Sequence, residues 1–154
     1  MNKDEGIYLK FPCVLRKKME EHVFDFPTQT EFEYEPIWGY RCIEREQDDN
    51  TVVGRNDFLS NIEDFIQKGK KIKKRRGQTT EPEDDINYYG VSLFKNKEKL
   101  VNIMHLPRPT KKICCGYVFM DGGPQATDDQ HVNWWLYEDA DVSRFTIEKG
   151  ENDE

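Results

Sequence analysis

The chain has 154 residues, one domain's worth at the usual ~100–200 residues per domain, with 30 acidic against 23 basic residues and a net charge of −7. Aromatic residues make up 12%, which argues against wholesale disorder, because disordered chains run poor in aromatics. Apolar runs of only a few residues exclude a transmembrane helix, and the charged start Met1-Asn2-Lys3-Asp4-Glu5-Gly6 lacks the apolar stretch of a secretory signal, so the expectation is one soluble, cytoplasmic domain over 1–154 with no membrane partner.

Residues 7–15 are β-prone but interrupted by Pro12, which cannot donate to a ladder, so they predict an edge strand or two short ones. Phe24, Phe26, Phe32 and Tyr34 are spaced among acids in a mixed stretch, with a turn at Asp25-Phe26-Pro27-Thr28. Residues 37–45 read as a strand that breaks at Glu46–Asn50. Phe58, Leu59, Ile62, Phe65 and Ile66 then form an apolar stripe at helical spacing. Asn56 is the expected cap, Asp57 suits the first turn, and Gly69 is the expected stop. This stripe should pack on a sheet containing residues 113–119.

Seven bases fall within positions 68–76 and four acids within 81–85, interrupted by Gly77 and Pro82, which predicts an exposed, mobile loop over 68–85. Residues 87–94 read as a strand. A shorter helix follows, capped by Asn96, burying Leu100, Val101 and Met104 and ended by Pro107 and Pro109. Residues 111–120 predict an apolar strand, Asp121-Gly122-Gly123-Pro124 a turn, 131–137 another strand and 144–147 a last one. The acidic tail, 148–154, should fray. Strands outnumber helices and interleave with them irregularly. The expected fold is α+β, with a single mixed or mainly antiparallel sheet of about five to six strands and two packed helices.

No CxxC pair exists among Cys13, Cys42, Cys114 and Cys115, so zinc-finger spacing is absent, and no metal site is expected. Adjacent Cys114 and Cys115 on a strand point to opposite faces. Without a secretory signal, reduced, small, buried thiols are the expectation.

Four groups of residues carry the functional expectations. The basic run Lys70, Lys71, Lys73, Lys74, Arg75 and Arg76 suits a polyanion, giving weak, non-specific nucleic-acid binding as one reading. Against it stand the net negative charge and the lack of an aromatic in the run to stack a base. Alternation along 131–137 puts His131, Asn133, Trp135 and Tyr137 on one face, a flat aromatic wall beside two hydrogen-bonding groups that suits a small ligand. That reading expects Trp135 to be partly and Trp134 fully buried. A hydrolytic pairing of His131 with Ser92 or Cys114 is a further option.

The fourth group is Arg41, Ser92 and Glu138. Their order across successive strands resembles the layout of NAD-consuming ADP-ribosyltransferases, although the Ser-Thr-Ser and Glu/Gln-x-Glu forms of that family are missing. The resemblance implies that Arg41 grips a phosphate, Ser92 steadies the nicotinamide side and Glu138 stabilises a developing oxocarbenium charge. NAD enters only under this alternative, and otherwise no cofactor is expected. The favoured reading is a binding protein acting through a protein partner, because catalytic motifs are absent while charge segregation and surplus aromatics suit an interaction surface.

Overall fold

Alternation along Ile37–Glu44 (β1) sends Ile37, Gly39, Arg41 and Ile43 to one face of a strand and Trp38, Tyr40, Cys42 and Glu44 to the other. Lys111–Val118 (β3) pairs with it over its whole length, from Ile37 opposite Val118 to Glu44 opposite Lys111. On its other side β1 pairs with Val91–Phe94 (β2), through Tyr40 opposite Phe94. Gln125–Asp128 (β4) and His131–Trp134 (β5) form a hairpin beyond β2, and the two-residue strand Thr146–Ile147 (β6) closes the far edge. The computed structural model describes residues 9–21, 32–70, 76–77 and 79–148, and within them one antiparallel sheet has the order β4-β5-β2-β1-β3-β6.

Among the described residues three α-helices accompany the sheet, one more than expected. Cys13–Glu20 (α1) starts inside the 7–15 segment that was expected to be extended and runs on into the mixed stretch that follows it. Pro12 stands at its N-cap, where a missing N–H costs nothing, and its carbonyl accepts from Leu15 and Arg16 at 3.0 Å. Leu15 and Met19, four apart, supply its buried side. Asn61–Gln67 (α2) starts later than the apolar stripe suggests: its cap is Ser60, not Asn56. Ser60 Oγ accepts from the Glu63 N–H and Glu63 Oε1 from the Ser60 N–H, both at 3.2 Å, a reciprocal capping box. Gly69, at φ +67°, ends it as expected: Lys70 N–H bonds back to Phe65 O and Gly69 N–H to Ile66 O, closing a Schellman motif. Lys97–Met104 (α3) begins at Asn96, whose side chain accepts from Lys99 N–H, and buries Leu100.

Two apolar clusters hold the molecule. The first joins Ile43, Leu93, Cys114, Val118, Val132 and Trp134 on one sheet face. Its roof is made of connecting segments rather than helix: Val53 and Phe58 from one, Leu136, Val142 and Phe145 from another. Phe58 therefore packs over the strands as expected, but Ile66, at the end of the same stripe, is exposed. The second cluster sits where β2 begins and β5 ends. It combines Phe11, Leu15 and Met19 with Ile62, Tyr88, Tyr89, Trp135 and Tyr137.

The remaining departures are local. Residues 86–89 form a 3-10 turn, so β2 starts at Val91 rather than at 87. Residues 125–128, unassigned in sequence, are a strand, while Trp135–Tyr137 and Arg144–Phe145 lie outside strands. Pro82 is buried in a further 3-10 turn at Pro82–Asp84. No helix among the described residues is long and apolar enough to cross a membrane.

Candidate functional site

Arginines fix the roof over the first cluster. Arg41 points to that face, and its guanidinium donates to three backbone carbonyls: Asp57 O at 2.9 Å, Ser92 O at 2.8 Å and Leu59 O at 3.2 Å. It also lies over the Phe58 ring, 5.3 Å from the centroid. Arg45 grips Asp57 through both carboxylate oxygens, at 3.1 and 2.7 Å, while Asp57 also accepts from Gly54 N–H. Arg55 donates to Tyr137 O, Leu136 O and Phe58 O, joining the two roof segments.

This arrangement separates the Arg41, Ser92 and Glu138 trio. Arg41 reaches Ser92 only through its carbonyl, because the two side chains alternate to opposite faces of the sheet. Glu138 lies beyond β5, where its backbone N–H bonds to Lys10 O at 2.7 Å. The three side chains share no cleft, and the donors that were to grip a phosphate already serve carbonyls.

The aromatic wall is closed as well. Trp135 is buried at 3% exposure, not partly open, and its Nε1 donates to Ile86 O at 3.0 Å. Tyr137 is buried beside Phe11, with the Lys10 ammonium over its ring. Asn133 donates to the backbone and side-chain oxygens of Asn87. Trp134 is fully buried, as expected. The chain over 85–89 covers this side, which alternation in β5 could not reveal. His131 remains half-buried, its Nε2 2.6 Å from Ser92 Oγ. Of the basic run, Lys70 and Arg76 are exposed, whereas Lys71, Lys73, Lys74 and Arg75 lie outside the described residues, as do His22, Phe24, Phe26 and the end of the acidic tail.

All four thiols are unpaired, with Cys13 exposed and Cys114 and Cys115 buried. Burial pushes the Cys114 thiol up to about 12, which makes it a poor nucleophile at neutral pH. Among the described residues no cluster of His, Cys, Asp and Glu is arranged to hold a metal ion.

An open cleft of about 790 Å³ lies elsewhere, at the edge of β3. Strand β6 pairs only with Cys114 and Cys115, so the sheet narrows at Gly116. There the Phe145 ring takes the place of a side chain, since a Cβ on Gly116 would stand 2.9 Å from it. Trp38 and Tyr117, directly opposed in register, bring their rings to 4.9 Å edge-on and remain 41% and 56% exposed. Glu35, Asp121 and Asp141 also line the cleft, against the single base Arg144. Hydrogen bonds from the Ser143 hydroxyl and backbone N–H hold the Asp141 carboxyl below its ordinary pKa, keeping it ionised. Sequence reasoning passed over Trp38 and Tyr117, although the Trp38-x-Tyr40 spacing already puts two rings on one face. Comparison with family models, with curated proteins and with solved structures finds no match to this chain.

Proposed function

We propose that this is a cytoplasmic binding protein that takes a basic segment of a partner protein, its lysine or arginine side chain entering the cleft beside Trp38. The observation that carries this reading is the pairing of two exposed aromatic rings with three carboxylates in one opening. An aromatic face attracts a cation through its quadrupole, and surrounding carboxylates add long-range attraction. A guanidinium or ammonium group can therefore lie on the Trp38 ring while its neighbours in the partner meet Glu35, Asp121 and Asp141.

Titrating lysine- and arginine-bearing peptides into the protein by isothermal titration calorimetry tests this. Trp38→Ala should weaken binding by about 2- to 30-fold, the equivalent of the ~0.5–2 kcal/mol that such a contact contributes. Asp121→Asn combined with Asp141→Asn should weaken it further and flatten its salt dependence. Equal binding of an acidic peptide, or no loss on Trp38→Ala, would sink the reading.

A further inference from the structure

On the sheet face away from Trp134, three adjacent strands set Asp128, His131 and Ser92 side by side. Asp128 and His131 are direct partners across the β4–β5 hairpin, and Ser92, the partner of Asn133, lies one diagonal step from His131. Residues so related stand close enough for their side chains to interact. Ser92 Oγ lies 2.6 Å from His131 Nε2, and Ser92 is exposed. The Phe94 ring packs edge-on against the imidazole at 5.2 Å, restricting its plane. A hydroxyl that donates to Nε2 requires the imidazole proton on Nδ1.

We infer that Ser92 is a nucleophile activated by His131 that takes the acyl group of small carboxylic esters. Ser92 Oγ attacks the ester carbonyl carbon while its proton passes to His131 Nε2. The tetrahedral adduct collapses, the bond to the alcohol oxygen breaks, and Nε2 returns the proton to that oxygen. Water then attacks the acyl-serine by the same route, releasing the carboxylic acid and restoring the serine hydroxyl. The balance is ester plus water to acid plus alcohol. Burial and the Lys99 charge lower the proton affinity of His131, and Asp128 raises it; the net effect is downward, so the imidazole is a free base at neutral pH.

Two probes test this on the intact protein: diisopropyl fluorophosphate, which phosphorylates an activated serine with loss of fluoride, and p-nitrophenyl acetate. The expected result is one equivalent of label, located on Ser92 by mass spectrometry. Ser92→Ala and His131→Gln should slow p-nitrophenol release at least ~100-fold, the lower range for a lost base. Asp128→Asn should retain the label while moving the midpoint of the pH–rate profile to lower pH, a change that a merely structural contact does not produce. Should His131→Gln fail to fold, the wild type still decides, because its labelling rate must follow a midpoint below the ~6.5 of a free histidine. Absence of label, label on another residue, a pH-independent rate or unchanged labelling in folded His131→Gln overturns the inference and leaves Ser92–His131 a cross-strand hydrogen bond.

Discussion

Replacing Arg41 with methionine should cost the protein much of its stability. Methionine keeps a long unbranched stem over Phe58 but removes every donor. The carbonyls of Asp57 and Leu59 are partly buried, and each loses its guanidinium partner at 2.9 and 3.2 Å. A buried acceptor left unpaired costs about 1–3 kcal/mol. The Ser92 carbonyl, bonded at 2.8 Å on the more exposed side, can turn to water and adds little. Losing the cation over the Phe58 ring adds about 0.5–2 kcal/mol. Because both carbonyls are only partly buried, each costs about 1–1.5 kcal/mol, and with the lost cation the total comes to about 2.5–5 kcal/mol against a domain stability of roughly 5–15 kcal/mol. With a urea dependence of about 2 kcal/mol per molar, the unfolding midpoint should fall by roughly 1.2–2.5 M. Arg41→Lys, with one ammonium facing three diverging carbonyls, should recover only part of that loss. Urea titrations followed by tryptophan fluorescence and far-ultraviolet circular dichroism measure both variants. A midpoint displaced by less than about 0.3 M in Arg41→Met would show that the 54–60 segment holds without its clamp, and the structural role given to Arg41 would be wrong.

Three other outcomes are expected. Ellman's reagent on the folded protein should modify exposed Cys13 quickly and leave buried Cys114, whose thiol is pushed up to about 12, to react only on unfolding. Gly123→Ala should destabilise severely, by more than ~3 kcal/mol, because φ is +138° and a Cβ there would stand 2.2 Å from Trp135 O; a melting temperature within a few degrees of wild type contradicts this. Folding holds the His131 pKa below its ordinary value, so as pH falls through ~6.5 the unfolded chain takes up the proton first and stability drops, levelling off below the folded pKa. The urea midpoint should therefore be lower at pH 5.5 than at pH 7.5, and His131→Gln should reduce that difference.

Elements whose local pattern agreed with their tertiary role were legible in the sequence. Lys97–Met104 announces itself through Asn96 and Leu100, and the strand around Arg41 through alternation. The errors arose where long-range partners decided. Asn56 and Asp57 have the composition of a helix start, but the Asp57 carboxylate is claimed by Arg45 and Gly54, and Ser60 with Glu63 caps the helix instead. The helix Cys13–Glu20 was hidden by the β-prone residues around Pro12, although the Leu15–Met19 spacing was there to be read. Gln125–Asp128 has no apolar alternation and exists as a strand because it pairs with His131–Trp134. The expectation of an open wall at Trp135 failed for a related reason. Alternation says which face a side chain takes, but not what covers that face: residues around Ile86 close over Trp135, while nothing among the described residues closes over Trp38.

The roof over the first cluster is two irregular segments, which carry backbone carbonyls that no regular ladder satisfies. Arg41, Arg45 and Arg55 meet that need, with donors directed at Asp57 O, Leu59 O, Phe58 O, Leu136 O and Tyr137 O and at the Asp57 carboxylate. A planar guanidinium with five donors serves several carbonyls at once, whereas lysine offers a single point of charge. These arginines are thereby withdrawn from ligand binding, although an arginine among aromatics in a sequence invites that reading. The free chemistry is left where no roof segment lies: on the opposite sheet face at Ser92 and His131, and at the narrowed edge beside Trp38 and Tyr117. The carboxylates proposed for binding and those that hold the roof are thus separate, so neutralising Asp121 should change binding without moving the unfolding midpoint, while neutralising Asp57 should do the reverse.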